Sequence, residues 1–329
     1  MIYIEEEIAS HWRTHEILAR LPDAVRVPCT RYDEVFDREH QDFRLQKRRP
    51  SLILGRAEQA LVDEAPAGYQ LGGRRSFHFA HMLNCIYDCR FCFLQGMNRS
   101  ASYVIFVNYE DFMEAIDAKL AEAPGEATWF FAGYQCDSLA FEPVTRFART
   151  FLPFFAERPH AWVELRTKST QVGSLLDHPP FPNCVTAFSM TPPELSRRLE
   201  HQTPTVERRL AAAARLQEAG WSVGLRFDPL IWEEGFRDRW SGFFDEVFSR
   251  LDPERLHSVS LGPFRLPYDW WRRVVSMYPE EELFHGRLEA RDGHVGFVQE
   301  LEAEMRETCA GLLRERVPGE ILFPENSGI

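Results

Sequence analysis

From about residue 76 onward, this 329-residue chain alternates short apolar runs with helical patterns, and that alternation restricts its fold more than any other feature. The runs at 77–82, 128–132, 162–166, 185–190, 223–227 and 258–261 are rich in Val, Phe and Leu and nearly continuous in places. Strands buried on both faces read this way. Residues 104–107 read as one further strand. The clearest helix is 206–219, built of good helix formers, with Thr203-Pro204-Thr205 before it and Gly220 after it. Residues 109–120 and 142–155 also read as helices, the second ending or breaking near Pro153. Repeated β-α alternation means parallel strands joined by right-handed crossovers. Six units fall short of the eight of a closed barrel. The expected fold is α/β: a partial (β/α)6 TIM-type barrel over residues 76–329, with a C-terminal extension. Residues 1–75 mix helical and irregular segments around a basic run at Arg44 and Lys47-Arg48-Arg49. They are expected to form an N-terminal α/β extension or small subdomain.

In such folds the chemistry sits beyond the carboxyl ends of the strands. Cys85, Cys136, Lys168, Ser189 and Asp228 each lie just beyond, or at the end of, a different run. Cys85 opens the densest cluster of reactive residues, Cys85-Ile86-Tyr87-Asp88-Cys89-Arg90-Phe91-Cys92, which spells C-x3-C-x2-C. Seven cysteines scattered at random would give that spacing with a chance of roughly 0.003. Three neighbouring thiolates suit a soft metal centre. A structural zinc site wants four ligands, and only His78 and His81 stand near enough in sequence to add one. A cubane iron–sulfur cluster held by three cysteines keeps one iron open to another ligand.

Composition removes several other classes. An odd number of cysteines, seven, argues against a disulfide framework. With 38 Lys+Arg against 50 Asp+Glu, the formal charge is −12, so the chain is not a generally basic nucleic-acid binder. No apolar run approaches the roughly 20 residues that span a bilayer. The start, Met1-Ile2-Tyr3-Ile4-Glu5-Glu6-Glu7, does not read as a signal peptide, and a cytoplasmic location without membrane partners is expected.

The cysteine loop, with Phe91 before its last cysteine, resembles the cluster loop of radical S-adenosylmethionine enzymes. Cys92-Phe93-Leu94-Gln95 narrows the likeness to the spore photoproduct lyase-like family. Residues 137–145, Glu164-Leu165-Arg166-Thr167-Lys168, Phe188-Ser189 and the helix through Leu210 to Gly220 are similar to that family in the same order. The resemblance implies that Cys85, Cys89 and Cys92 hold a [4Fe–4S] cluster whose fourth iron is chelated by S-adenosylmethionine. One electron then cleaves the sulfonium C–S bond, and the resulting 5′-deoxyadenosyl radical abstracts hydrogen from a substrate. The family chemistry also implies a one-electron donor such as flavodoxin or ferredoxin. By position, Phe91 would lie near the adenine, Cys136 and Gly133 near the methionyl group, Lys168 at the cofactor carboxylate and Ser189 beside it. The plain alternatives are a core aromatic for Phe91, a buried thiol for Cys136 and a surface charge for Lys168.

Departures from the family bear on the substrate. Tyr134 stands where the spore enzyme has its hydrogen-donating cysteine, with Cys136 two residues on. Phe91 and Phe93 replace two tyrosines implicated in its radical relay, and phenylalanine has no phenolic hydrogen to give. Arg291-Asp292-Gly293 resembles an Arg-Tyr-Gly segment, which makes Arg291 a candidate substrate contact. Tyr134 and Cys136 are therefore the candidate catalytic hydrogen donors. The substrate is expected to be damaged DNA or another modified nucleobase. The alternatives are a nucleotide, RNA, peptide or metabolite, or a zinc-stapled interaction protein without catalysis.

Overall fold

The computed structural model describes residues 1–59, 61–66 and 75–323. Six parallel strands form its centre: Arg75–Phe79, Thr128–Ala132, Ala161–Thr167, Cys184–Ser189, Ser222–Leu230 and Leu256–Pro263. They lie side by side in chain order, and are called here the first to sixth barrel strands. Asp63–Glu64 adds an antiparallel edge beside the first, and Leu322–Phe323 a parallel edge beside the sixth. The two edges do not pair with each other, so the barrel is open among the described residues. Helices including Phe147–Ala156, Val206–Glu218 and Phe236–Arg250 connect successive strands. They bury the outer face of the sheet in one aromatic-rich core. All six expected strands are present, and each shifts by no more than a few residues.

The helix expected at 142–155 is two helices. Arg146 takes a left-handed conformation (φ +49°) between Glu142–Thr145 and Phe147–Ala156, and Pro153 sits inside the second. The break is thus seven residues before the proline. Glu142 fixes it, because its buried carboxylate accepts from the amides of Ala148 (2.8 Å) and Arg149 (3.1 Å) and caps the new helix.

Residues 104–107 do form a strand, Tyr103–Phe106, but it belongs to a second sheet. There it pairs with Leu52–Gly55 in parallel and with Met82–Leu83 antiparallel. Leu52–Gly55 continues through Ile2–Glu5 to Arg26–Cys29. The N-terminal segment is therefore α/β, and its sheet is completed by a strand from beyond residue 76. A third, antiparallel sheet of Arg265–Pro267, His294–Phe297 and Leu288–Arg291 follows the sixth barrel strand. No helix among the described residues is long and apolar enough to cross a membrane.

Candidate active site

At the carboxyl ends of the barrel strands lies one cavity of roughly 1150 Å³, its open mouth included. Cys85, Cys89, Cys92, Phe91, Gly133, Tyr134, Cys136, Lys168 and Ser189 all line it. Of the candidates named from the sequence, Arg291 is absent from the lining, as are His78 and His81, the histidines considered as zinc ligands.

The cysteine loop is held from both ends. Asn84 enters it with φ +65° and donates from its side chain to the carbonyls of Ser100 and Ser102, both at 2.7 Å. Asp88–Cys89 then pairs antiparallel with Glu200–His201. The Asp88 carboxylate gathers Lys47 (3.3 Å), Arg90 (2.6 Å) and Gln95 (3.0 Å). A turn from Cys89 to Cys92 leads into the short helix Leu94–Met97. Gly96 lets that helix touch Tyr268–Met277, since a Cβ there would lie 2.5 Å from the Trp270 carbonyl oxygen.

All three thiols are unbridged. Burial pushes each upward, Cys85 to about 12. Left alone they stay protonated, and an electrophilic cation has to replace the proton before they become thiolates. A single zinc with Zn–S near 2.3 Å would gather its sulfurs to within about 4 Å of each other. Among the described residues, no three His, Cys, Asp or Glu side chains form a group that could hold one ion. A cubane binds each cysteine to a different iron and has no need of such convergence, so these three thiols around one cavity fit it better.

The loop after the second strand carries the next group. Gly133 adopts φ +80°, and a Cβ there would sit 2.7 Å from Ser138 Oγ, so the turn requires glycine. Cys136 follows, with its Sγ 4.0 Å from Nδ1 of His81. His81 is stacked on Phe147 at 3.7 Å, and burial lowers it to about 3, so it is neutral. Tyr134 stacks on His78 at 4.3 Å and tilts against Phe93 at 5.6 Å.

Asp137 ties this loop to the third strand. Its carboxylate accepts from Thr167 Oγ1 and the Lys168 amide, each at 2.6 Å, and from the amides of Leu139 (3.0 Å) and Ala140 (2.9 Å). Asp137→Ala leaves these donors without an acceptor and is expected to lower the unfolding free energy by about 3 kcal/mol. Asp137→Asn, which keeps an accepting oxygen, should lose less. Urea denaturation measures both, and an alanine variant as stable as the parent would show that this tie is dispensable.

Lys168 lines the cavity with its side chain only 14% exposed, which does not fit the surface-charge alternative. Its ammonium lies 3.7 Å from Glu200 and 5.4 Å from the Phe91 ring centroid. Burial alone would lower its pKa, but the Glu200 carboxylate opposes that and the net direction is upward. Ser189 closes the fourth strand, and its carbonyl accepts from the buried Arg209 at 3.3 Å.

Asp228, expected here from its place at the end of a strand, faces the cavity, and so does Arg166, which the sequence reading gave no role. Beneath Arg166 the buried Glu164 receives Arg166 Nε (2.9 Å) and Arg226 (2.7 Å). Gly224 leaves room for the Arg226 guanidinium, and Gly262 for the Asp228 carboxylate. A signal was present: Glu164, Arg166 and Lys168 are spaced by two, as are Arg226 and Asp228, which places each set on one face of its strand.

Arg291 lies in the antiparallel C-terminal sheet, outside the cavity lining. It is bound by Glu289 (2.9 Å) and Glu302 (3.2 Å), so its charge is already answered. Several basic residues of the N-terminal run and the cysteine-loop region are likewise paired with carboxylates. Arg44 pairs with Glu280, Lys47 and Arg90 with Asp88, and Arg75 with Glu122. Arg48, Arg49 and Arg99 are exposed, and Arg74 lies outside the described residues. Trp270 stacks on Phe93 at 5.6 Å, while Phe243 and Phe244 are core residues around Trp240.

Residues 75–283 match the family model described as spore photoproduct lyase. The spore photoproduct lyase of Bacillus subtilis (strain 168) is 23% identical over 202 residues, 60% of this chain and 59% of that protein. That of Geobacillus sp. (strain Y412MC61) is 23% identical over 70% of this chain and 72% of its own length. Among solved structures, a spore photoproduct lyase variant with bound AdoMet and dinucleoside spore photoproduct superposes with TM-score 0.85. It is 20% identical and covers 97% of this chain and 96% of its own. At that identity the superposition establishes the shared fold.

Proposed function

This chain belongs to the spore photoproduct lyase family, and from that premise we propose that it is a radical S-adenosylmethionine enzyme acting on a pyrimidine photolesion in DNA. The observation that carries the reading is the convergence of Cys85, Cys89, Cys92, Gly133, Lys168 and Ser189 on one cavity. Cys85, Cys89 and Cys92 would bind three irons of a [4Fe–4S] cluster and leave the fourth for the cofactor. A bound cluster and S-adenosylmethionine would supply reductive opening of a sulfonium C–S bond and hydrogen-atom abstraction.

The chain's own residues do the positioning. Lys168, a point charge at the cavity wall, holds the cofactor carboxylate, and the Ser189 hydroxyl stands beside it. Gly133 exposes backbone to the methionyl end, and Phe91 offers a face to the adenine. The Cys136 S–H and the Tyr134 O–H are the hydrogen donors within the cavity. Phe93 touches the Tyr134 ring but has no hydrogen to relay. An intracellular location and a flavodoxin- or ferredoxin-type electron donor accompany this chemistry.

A second reading keeps the radical chemistry on a non-DNA nucleotide or metabolite. It is favoured by the carboxylates that already pair Arg44, Lys47, Arg75, Arg90 and Arg291, because DNA binding depends on cations available to phosphate. The test is 5′-deoxyadenosine formation by anaerobically reconstituted, reduced protein, with and without ultraviolet-irradiated DNA. Stimulation by irradiated DNA is the expected result. Cleavage indifferent to DNA would move the substrate to the second reading. No cleavage by protein with an intact cluster would overturn both.

A further inference from the structure

We propose that Glu200 is a positioning residue of the cofactor site: its carboxylate sets the Lys168 ammonium where the carboxylate of S-adenosylmethionine meets it. The inference rests on the cofactor reading above and extends it to a residue that lies outside the cavity lining.

Glu200 sits at a junction of three parts of the site. Its backbone pairs directly with Cys89, so the segment that carries it also braces the cysteine loop. Its side chain is fully buried. One oxygen, Oε2, lies 2.6 Å from Arg209 and accepts from Ser196 Oγ at 2.7 Å. Arg209 in turn donates to the carbonyl of Ser189 (3.3 Å) and to Thr203 Oγ1 (2.6 Å). One carboxylate thus connects the cysteine loop, the end of the fourth strand and Lys168.

The other oxygen carries the argument. Glu200 Oε1 is buried and has no hydrogen-bond partner. Lys168 Nζ lies 3.7 Å away, close enough for charge attraction but too far for a hydrogen bond. The ammonium is therefore drawn to one side of the cavity with its three N–H donors not spent on Glu200. The Phe91 ring attracts it from another side. Charge agrees with this arrangement. One buried carboxylate faces two cations, the buried Arg209 and the largely buried Lys168, so this group of three carries a net positive charge, of which Lys168 is the part that lines the cavity. A ligand carboxylate answers that surplus, and Glu200 holds the lysine ammonium aimed toward it.

A binding comparison tests this directly on full-length protein reconstituted with iron and sulfide. Calorimetry gives the affinity for S-adenosylmethionine and for its decarboxylated analogue, in the parent, Lys168→Met and Glu200→Gln. Lys168→Met is expected to weaken S-adenosylmethionine by about tenfold or more, the usual scale for a charge-assisted hydrogen bond, and the analogue little. Glu200→Gln, nearly the same shape, should show the same pattern at about tenfold. A purely structural role would weaken both ligands alike, and that result, or no change in either, overturns the proposal. Should thermal melting show that Glu200→Gln is unfolded, Glu200→Asp replaces it, with a selective but smaller loss expected. If the parent with a full complement of iron and sulfide binds neither ligand, the cofactor reading itself fails. If the parent binds both and only the Glu200 pattern is missing, the failure is confined to Glu200.

Discussion

Alanine in place of Cys85, Cys89 or Cys92 is expected to abolish the iron–sulfur chromophore and reduce 5′-deoxyadenosine formation to background. The three thiols arrive on different pieces of backbone. Cys85 follows the left-handed Asn84, Cys89 lies in the two-residue strand against Glu200, and Cys92 ends the turn before Leu94–Met97. None can take another's place without unmaking those local bonds. Two thiolates leave a cluster of four irons short of protein ligands, and the nearby Cys136 is held beside His81. The control is Cys309→Ala, a buried thiol in the helix Gln299–Arg314, which should cost about 1 kcal/mol of stability and leave iron content unchanged. Iron and sulfide analysis with visible absorbance reads the result. Undiminished iron and cleavage in any one of the three variants would remove that cysteine from the ligand set.

The barrel was legible because its strands are short runs rich in Val, Phe and Leu set between helical patterns, nearly continuous in places as burial on both faces demands. The cavity was legible for a related reason. In a parallel sheet the residue just past a strand lands at one rim, so Gly133, Lys168 and Ser189 meet without any long-range information. Arg146 was not legible. The helix breaks there because Glu142 caps the next helix from seven residues back along the wall, while the visible breaker, Pro153, fits inside a helix. Nor could periodicity assign Tyr103–Phe106 to its sheet, since pairing partners at residues 52–55 lie about fifty positions away. Glu200 offered no signal at all. It is one carboxylate among many in an acidic chain, and its weight comes only from the partners that folding brings to it.

Arg226→Met is expected to lower the free energy of unfolding by about 3–5 kcal/mol, the usual result of stranding a buried charge. Arg226 and Glu164 are both inaccessible to solvent, 2.7 Å apart in the barrel interior below the cavity. Arg226 also donates to the carbonyl and hydroxyl of Ser258, and Gly224 makes the space it occupies. Burial pushes the Glu164 carboxyl upward, but Arg226 and Arg166 prevail and hold it at about 2. A folded pKa below the unfolded one, near 4.5, contributes stability that is complete above the unfolded value. That contribution fades as pH falls from about 4.5 toward about 2. The penalty of Arg226→Met, measured against the parent in urea, should therefore be largest near pH 8 and shrink as pH falls, because the stranded Glu164, pushed upward by burial, takes a proton more readily than the paired one. Removing both charges in Glu164→Leu/Arg226→Met should recover much of the loss, because a buried pair replaced by apolar groups often costs little. The recovery will be incomplete, since Arg166 then loses the carboxylate that fixes it at 2.9 Å. Arg166 lines the cavity, so the double variant separates two roles of one ion network. Stability returns with charge balance, whereas the Glu164 contact that helps fix Arg166 at the cavity stays lost.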